Sequence, residues 1–195
     1  MPRAGLTPDA VVQAAARLAD DVGWDHLTLA ALAARLGVAV PSLYKHVDGL
    51  DAVRRGVTLL AIGEMAAALE AALAPAIDGG SSMRLSSMAA AYRAYARQHP
   101  GRYAAIQRAA PPDDADLAVE SAALVGIVLA VLAERGLTGD AAIDAARALR
   151  SALHGFVVLE ALGGFGLPRD IDRSFARMIE VLDLGFTANS LGSGA

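Results

Sequence analysis

The stretch LTLAALAARLGVAVPSLYKHV, residues 27–47, is almost wholly Ala, Leu and Val up to Ser42 and then places Tyr, Lys and His side by side. Thr28 is suited to cap the start of a helix, and Gly37 is suited to end one. The first part therefore predicts a short helix, and a second is predicted from residue 40 to residue 46 or 47. Two short helices joined by a tight glycine turn have the spacing of a helix-turn-helix unit.

The second helix of this stretch has an apolar face and a polar one. At about 100° per residue, Val40, Leu43 and Val47 lie together on the apolar side, which can pack against the preceding helix. The outward arc presents Pro41, Ser42 and Lys45, and its two flanks carry Tyr44 and His46. A DNA major groove offers base edges to such an arc and phosphates to such flanks. Taken singly, Tyr44 and His46 also fit half-buried residues near a helix end, with Lys45 solvated; the preceding helix favours DNA.

This stretch, with a helix before it and a long one after it, resembles the DNA-binding domain of the TetR family of transcriptional repressors over about residues 8–60. The resemblance implies that Thr28, Tyr44 and His46 meet phosphates, and that Pro41, Ser42 and Lys45 make base or groove contacts. Two positions depart from the family pattern, which often has an aromatic residue at Val47 and a phosphate-binding lysine at Leu50. Either Arg54 or Arg55 then supplies the missing charge, or binding is weaker than is typical.

The composition favours helices throughout. Ala occupies 45 of the 195 positions, whereas Phe, Tyr and Trp together occupy nine. Helix propensity is highest for Ala, so we expect an all-α fold. We predict a three-helix DNA-binding domain at residues 1–49, a helical effector-binding and dimerisation domain at residues 50–188, and a disordered tail at residues 189–195.

The net charge and the apolar runs limit the partners and the cellular location that we expect for the protein. The chain carries a formal net charge of -4, which by itself argues mildly against a nucleic-acid partner. Residues 1–60 are formally neutral, so the acid excess lies elsewhere. The uncharged run at residues 121–133 is shorter than the roughly 20 residues of a membrane span, and we expect it to be a buried helix. No secretory signal pattern opens the chain, so we expect a cytoplasmic protein.

The end of the chain shows a second, fainter resemblance. Residues 149–186 are similar to a TetR C-terminal subtype named for a Trp-His-Gly triplet, with Leu153 in place of the Trp before His154 and Gly155. TetR proteins usually dimerise through their last two long helices, and two apolar stripes here recur at helical spacing. We predict a dimer interface of Leu149, Ala152, Phe156, Leu159, Phe175, Ile179, Leu182 and Phe186. An ordinary core stripe within one chain is the alternative.

No catalytic or metal-binding constellation is visible. The four histidines are scattered, Cys is absent, and no Ser lies in a nucleophile elbow. We therefore expect a protein that is not an enzyme and that binds no metal ion or cofactor. The alternative is an all-α enzyme or a helical binding module without DNA binding. The family resemblance implies a small effector, and an apolar or aromatic one suits the candidate wall residues Tyr92, Tyr95, His99, Tyr103, Ile106, Leu124 and His154.

Overall fold

A computed structural model describes residues 6–75 and 80–192, with side chains up to Thr187. Within these ranges every regular element is a helix, as the composition predicts. The helices are α1 Pro8–Val22, α2 Leu29–Leu36, α3 Val40–Leu43, α4 Leu50–Leu73, α5 Gly80–Gln98, α6 Pro100–Ala105, α7 Ala115–Ala133, α8 Gly139–Ala161 and α9 Ile171–Gly192, with a single 3₁₀ turn at Trp24–His26 after α1.

Local capping explains where the first two helices begin and end. The Thr7 hydroxyl accepts a hydrogen bond from the Ala10 N–H at 3.1 Å, and Thr28 accepts one from Ala31 at 3.2 Å. These bonds satisfy N–H groups that have no partner inside the helix. Gly37, with φ of 66° and ψ of 33°, ends α2 in the left-handed conformation that glycine adopts without strain.

Proline and glycine positions set the ends of α6 and α9. α6 begins at Pro100 because proline fits the first turn of a helix. α9 continues to Gly192, past residue 189, where the sequence predicts that the disordered tail begins. No proline or glycine stands between Gly185 and Gly192 to end the helix. Residues 193–195 lie outside the described part of the chain.

The described chain forms two compact units. The first contains the chain up to Glu64 together with Gln98–Ser121, and the second contains Met65–Arg97 and the chain from Ala122 onward. The division falls inside α4 instead of at residue 50. The domains proposed from the sequence therefore group the helices differently, because α6 packs against α1.

One apolar cluster forms the core of the first unit. Its buried members come from α1, α2, α3, α4, α6 and Leu27, two residues before α2, and include Val11, Ala15, Leu18, Leu32, Leu43, Val53, Val57 and Ala105. The helix-turn-helix therefore has no separate core of its own. Its two short helices are held against α1 and the start of α4.

The α1–α6 contact is unusually close. A Cβ atom built on Gly101 would lie 2.1 Å from both the carbonyl carbon and the carbonyl oxygen of Ala19. Since these are backbone atoms, no rotamer change can relieve such a clash. Gly101 is therefore required for the spacing of the two helices, a steric requirement that the sequence pattern did not reveal.

A buried arginine joins three helices of the second unit. Arg93 on α5 bonds Glu160 on α8 through Nε at 2.8 Å and lies 4.7 Å from the ring centroid of Phe175 on α9. The hydrogen bonds from Arg93 hold the pKa of Glu160 below its usual range, although burial acts in the opposite direction. The Phe156 and Phe175 rings pack edge to face with centroids 5.0 Å apart. Arg93 thus ties α5 to both of the last two helices.

The expectation that residues 121–133 are buried was wrong. They belong to α7, where Leu117, Val131 and Leu132 are buried but Val119 is 66% exposed and Val125 is also exposed. An apolar run cannot itself show which side of a helix is covered. By length and hydropathy α4 and α7 could each cross a bilayer, a test that core helices of soluble proteins also pass.

We predict that Gly101→Ala lowers the free energy of unfolding by about 1–3 kcal/mol, the usual cost of overpacking, because α6 must move away from α1. The measurement is urea unfolding of both proteins followed by circular dichroism. Gly126→Ala is the matched control, since its Cβ enters open space inside a helix, and it should stabilise by about 0.5–1 kcal/mol. Equal stabilities for Gly101→Ala and the parent would contradict the close contact.

Candidate nucleic-acid interface

The start of α2 presents backbone N–H groups to solvent. Leu27 is fully buried and anchors the chain, while the next residue, Thr28, is exposed and caps the helix. The N–H groups of Leu29 and Ala30 have no partner inside the helix, and the helix dipole adds partial positive charge there. Such a helix start is suited to a phosphate oxygen.

A tight turn fixes the angle between α2 and α3. The Val38 N–H donates to the Ala33 carbonyl at 3.0 Å and the Gly37 N–H donates to Ala34 at 3.2 Å, the bonding of a Schellman turn. The chain then enters α3 at Val40, with Pro41 in the first helical turn. The direction of α3 is thus set by backbone bonds at the end of α2.

The second helix of the helix-turn-helix, α3, is shorter than predicted. We expected helix up to residue 46 or 47, but α3 ends at Leu43 and residues 44–46 form a turn. The Leu43 carbonyl accepts from the His46 N–H at 2.8 Å and from the Val47 N–H at 3.0 Å. The last turn therefore tightens into 3₁₀ bonding before Gly49, at φ of 93°, redirects the chain.

The predicted orientation of this segment is confirmed. Leu43 is fully buried in the core of the first unit, and Val40 and Val47 pack partly buried against the same core. On the other side Tyr44 is 58% exposed. Of the six residues predicted to contact DNA, the structure exposes Thr28, Pro41, Tyr44 and Lys45 and leaves Ser42 and His46 half-buried.

The two arginines considered as replacements for the missing lysine have different surroundings. Arg55 donates to Asp114 through Nε at 2.6 Å and to Asp116 through Nη2 at 2.7 Å. These hydrogen bonds raise the pKa of Arg55, and the bond from Arg55 is the main cause of the lowered pKa of Asp114. The Arg55 guanidinium is therefore already matched by two carboxylates.

Arg54 lies beside the start of α2. Its guanidinium carbon is 5.7 Å from the Trp24 ring centroid, and its Nη2 donates to the Leu27 carbonyl at 3.5 Å. Leu27 immediately precedes Thr28, and the Arg54 side chain is half-buried. Arg54, unlike Arg55, has no carboxylate among these contacts and is near a residue predicted to meet a phosphate.

Sequence reasoning missed the partners of both arginines. Asp114 is 59 residues from Arg55, and no periodicity relates the two positions. An open groove lined by Arg55, Pro111, Asp113, Asp114, Ala115 and Asp116 is polar and includes none of the predicted effector residues. Among the described residues, no three His, Cys, Asp or Glu side chains are grouped so as to hold a metal ion.

The seven predicted effector residues do not share one unit. Tyr92, Tyr95, Leu124 and His154 belong to the second unit, whereas His99, Tyr103 and Ile106 belong to the first. Tyr95 and Tyr103 are buried and the others are half-buried. Their common role in one pocket remains a prediction.

Most of the predicted dimer interface is core. Leu149, Phe156, Phe175, Ile179 and Phe186 are buried within the single chain, Ala152 and Leu182 are half-buried, and Leu159 is exposed. The alternative interpretation, a core stripe within one chain, describes the five buried residues, because α8 and α9 pack against each other. Other apolar residues of these helices, and of the loop between them, face outward: Leu162, Leu167, Val181 and Leu184.

Comparison with known proteins gives family matches at both ends of the chain. Residues 11–47 match the family described as bacterial regulatory proteins, tetR family, and residues 85–182 match the tetracyclin repressor-like C-terminal domain. Neither description names the Trp-His-Gly subtype, which stays a prediction.

Similar proteins cover nearly the whole chain. The HTH-type transcriptional regulator Rv0681 of Mycobacterium tuberculosis is 38% identical over 98% of this chain and 86% of its own length. The HTH-type transcriptional regulator YobS of Bacillus subtilis is 37% identical over 97% of each. A crystal structure of a TetR variant from Acinetobacter baumannii with minocycline has a TM-score of 0.70 at 24% identity, covering 95% of this chain and 99% of that one. This last likeness shows the shared fold.

We predict that Lys45→Ala weakens binding to DNA from upstream of the gene and reduces the salt slope of log K by about 0.9 for each bound chain, the value for one phosphate charge. Tyr44→Phe should weaken binding without changing the slope, because the hydroxyl carries no charge. Arg147→Ala is the control, since it removes an exposed positive charge on α8 and should leave the slope unchanged. The measurement is fluorescence anisotropy at several salt concentrations; parent-like binding by Lys45→Ala at every one would remove this surface from the interface.

Proposed function

The chain belongs to the TetR family, whose members are helix-turn-helix transcriptional regulators, and from this membership we propose that it is a repressor. It binds a palindromic operator as a homodimer and releases it when a small effector binds. The observation that supports DNA contact is the α2–α3 unit, which buries Leu43 and exposes Pro41, Tyr44 and Lys45. Because its partner is chromosomal DNA, the protein acts in the cytoplasm.

The dimer forms through the outward faces of α8 and α9, not through the stripes that the sequence suggested. Leu159 on α8 and Val181 and Leu184 on α9 are exposed apolar residues, and Leu184 is 67% exposed. Added Cβ atoms at Gly155 and Gly185 would enter open space, so these positions allow helices of a second chain to approach closely. A two-fold dimer presents two recognition helices and so requires a two-fold operator.

The effector is a small apolar or aromatic molecule bound among the C-terminal helices. Tyr92, Tyr95, Leu124 and His154, all in the second unit, supply wall residues. A ligand there acts on α4, a continuous helix that passes from the first unit into the second. Tilting α4 changes the separation of the recognition helices, which must match half-sites about one DNA turn apart.

The chain works without catalysis or a cofactor. The alternative, an all-α enzyme or a helical module that binds a small molecule only, predicts no sequence-specific DNA binding. A mobility-shift assay on the upstream DNA, with an unrelated duplex of equal length as competitor, separates the two. Retention of the shift against excess competitor supports the repressor, and loss of it supports the alternative.

Arg54 supplies the phosphate contact that Leu50 lacks. Trp24 supports its guanidinium beside the start of α2, where Thr28 and two helix N–H groups form the rest of the phosphate site. Arg55 does not take part, because Asp114 and Asp116 already hold it.

We expect Arg54→Gln to reduce the salt slope of operator binding by about 0.9 for each subunit, about 1.8 for the dimer, and Arg55→Gln to leave it near the parent value. The two variants change the same residue type at adjacent positions of α4, so each controls for the other. Anisotropy titrations from low to high salt give both slopes. A lower slope for Arg55→Gln with a parent-like slope for Arg54→Gln would reverse the assignment.

Leu184→Glu should convert the dimer into a monomer, because it places a charge in an apolar interface. Phe175, a core residue, is unsuitable for this test because its replacement would disrupt the folded chain. Val119→Glu on α7 is the matched control, changing an equally exposed apolar residue, and should remain dimeric. Sedimentation velocity at micromolar concentration gives the result; a monomeric parent, or dissociation of Val119→Glu alone, would exclude the α8–α9 interface.

A further inference from the structure

A buried arginine joins α1, α4 and α6 in the first unit. Arg102 on α6 is 9% exposed. Its Nη1 donates to the Glu64 carboxylate on α4 at 3.0 and 3.2 Å, and its Nε lies 3.1 Å from Asp20 Oδ2 on α1. The Asp20 carboxylate also accepts the Arg102 backbone N–H at 2.9 Å.

Asp20 serves α6 as a cap supplied by another helix. The residue before α6, His99, makes no side-chain cap bond of its own, and its Nδ1 lies 3.5 Å from Asp20 Oδ2. Because Gly101 also brings the α6 backbone against α1, α6 cannot shift on α1 without breaking the Asp20 bonds. The Asp20 bonds and the Gly101 contact together hold α6 in this capped arrangement on α1.

The connectivity of the chain gives this cluster its importance. The chain passes between the two units inside α4 after Glu64, before α6 at Arg97–Gln98, and inside α7 at Ser121–Ala122. Glu64 is the last residue of the first unit at one crossing, and Arg102 is four residues after another. Arg102 thus fastens two of the three crossings to α1, which shares its core with the helix-turn-helix.

We propose that Arg102 is a positioning residue that couples the C-terminal unit to the DNA-binding helices, by holding α6 and α4 to α1 through Glu64 and Asp20. The inference rests on the proposed operator binding, whose regulation it explains. These ion pairs transmit a movement of α6 or of the middle of α4 to α1, in addition to the apolar packing that α1 shares with both helices. Coupling between sites is reciprocal, so operator bound at α2 and α3 must also stabilise the capped state of α6.

Reciprocity allows a test without knowledge of the effector. Hydrogen exchange is followed by mass spectrometry in the full chain, free and saturated with upstream DNA, for peptides covering α2–α3 and α6. In the parent, DNA slows exchange in both, and in α6 by about 5- to 150-fold, the usual range of allosteric coupling. In Arg102→Gln, DNA still protects α2–α3. The α6 response, defined as the exchange rate of α6 without DNA divided by the rate with DNA, falls to near one.

Three further variants make the result specific. Arg97→Gln changes an exposed arginine five residues away whose Glu160 contact is long, 3.7 Å, and should respond like the parent. Glu64→Gln removes one carboxylate of the cluster and should reduce the α6 response even if Arg102→Gln is poorly folded. Arg102→Lys keeps the charge but loses the forked geometry, so its response should be intermediate.

The outcomes separate the inference from the proposed function. Protection of α2–α3 without any effect on α6 in the parent overturns the inference and leaves operator binding intact. A parent-like α6 response in both Arg102→Gln and Glu64→Gln also overturns it. Absence of protection everywhere in the parent overturns the proposed function, and with it the inference, because no operator signal remains to reach α6.

Discussion

The burial of Leu43 is the constraint on which the DNA-binding surface depends. A helix of four residues cannot be stable alone, since helix nucleation is unfavourable and so short a helix forms few hydrogen bonds to offset it. α3 exists because Leu43 is fully buried in the core of the first unit and because Gly37 fixes the turn before it. With these two positions fixed, Pro41, Tyr44 and Lys45 must face outward. The rest of the first unit supplies the core that receives Leu43.

The electrostatics of the surface are those of a weakly charged DNA reader. Residues 1–60 are formally neutral, and several cations there already have protein partners, as with Arg35 and Asp21 or Arg55 and Asp114. The phosphate contacts are then made by N–H groups at the start of α2, by hydroxyl groups and by few cations. Such an interface depends more on the placement of hydrogen bonds than on net charge, which makes the position of α1 relative to α4 and α6 functionally important.

The sequence predicted what short-range chemistry determines. Thr28 and Gly37 predicted correct helix ends, and the helical spacing of residues 40–47 predicted the correct buried face. It failed where distant segments decide the outcome. Periodicity identified the α8 and α9 stripes as buried but could not tell whether the covering surface was the same chain or a second copy. The pairing of Arg102 with Asp20 spans 82 residues and leaves no local signature, and the apolar run in α7 did not show which side is covered.

The measurement that tests operator binding by a two-fold dimer most directly is hydroxyl-radical footprinting of the parent protein on the DNA upstream of its gene. Such binding predicts two protected half-sites related by a two-fold axis, with centres one helical turn, about 10–10.5 base pairs, or a multiple of it apart. Lys45→Ala should weaken both half-sites equally, because each subunit contributes the same surface. Protection of a single asymmetric site, or no protection beyond that of unrelated DNA, would contradict it.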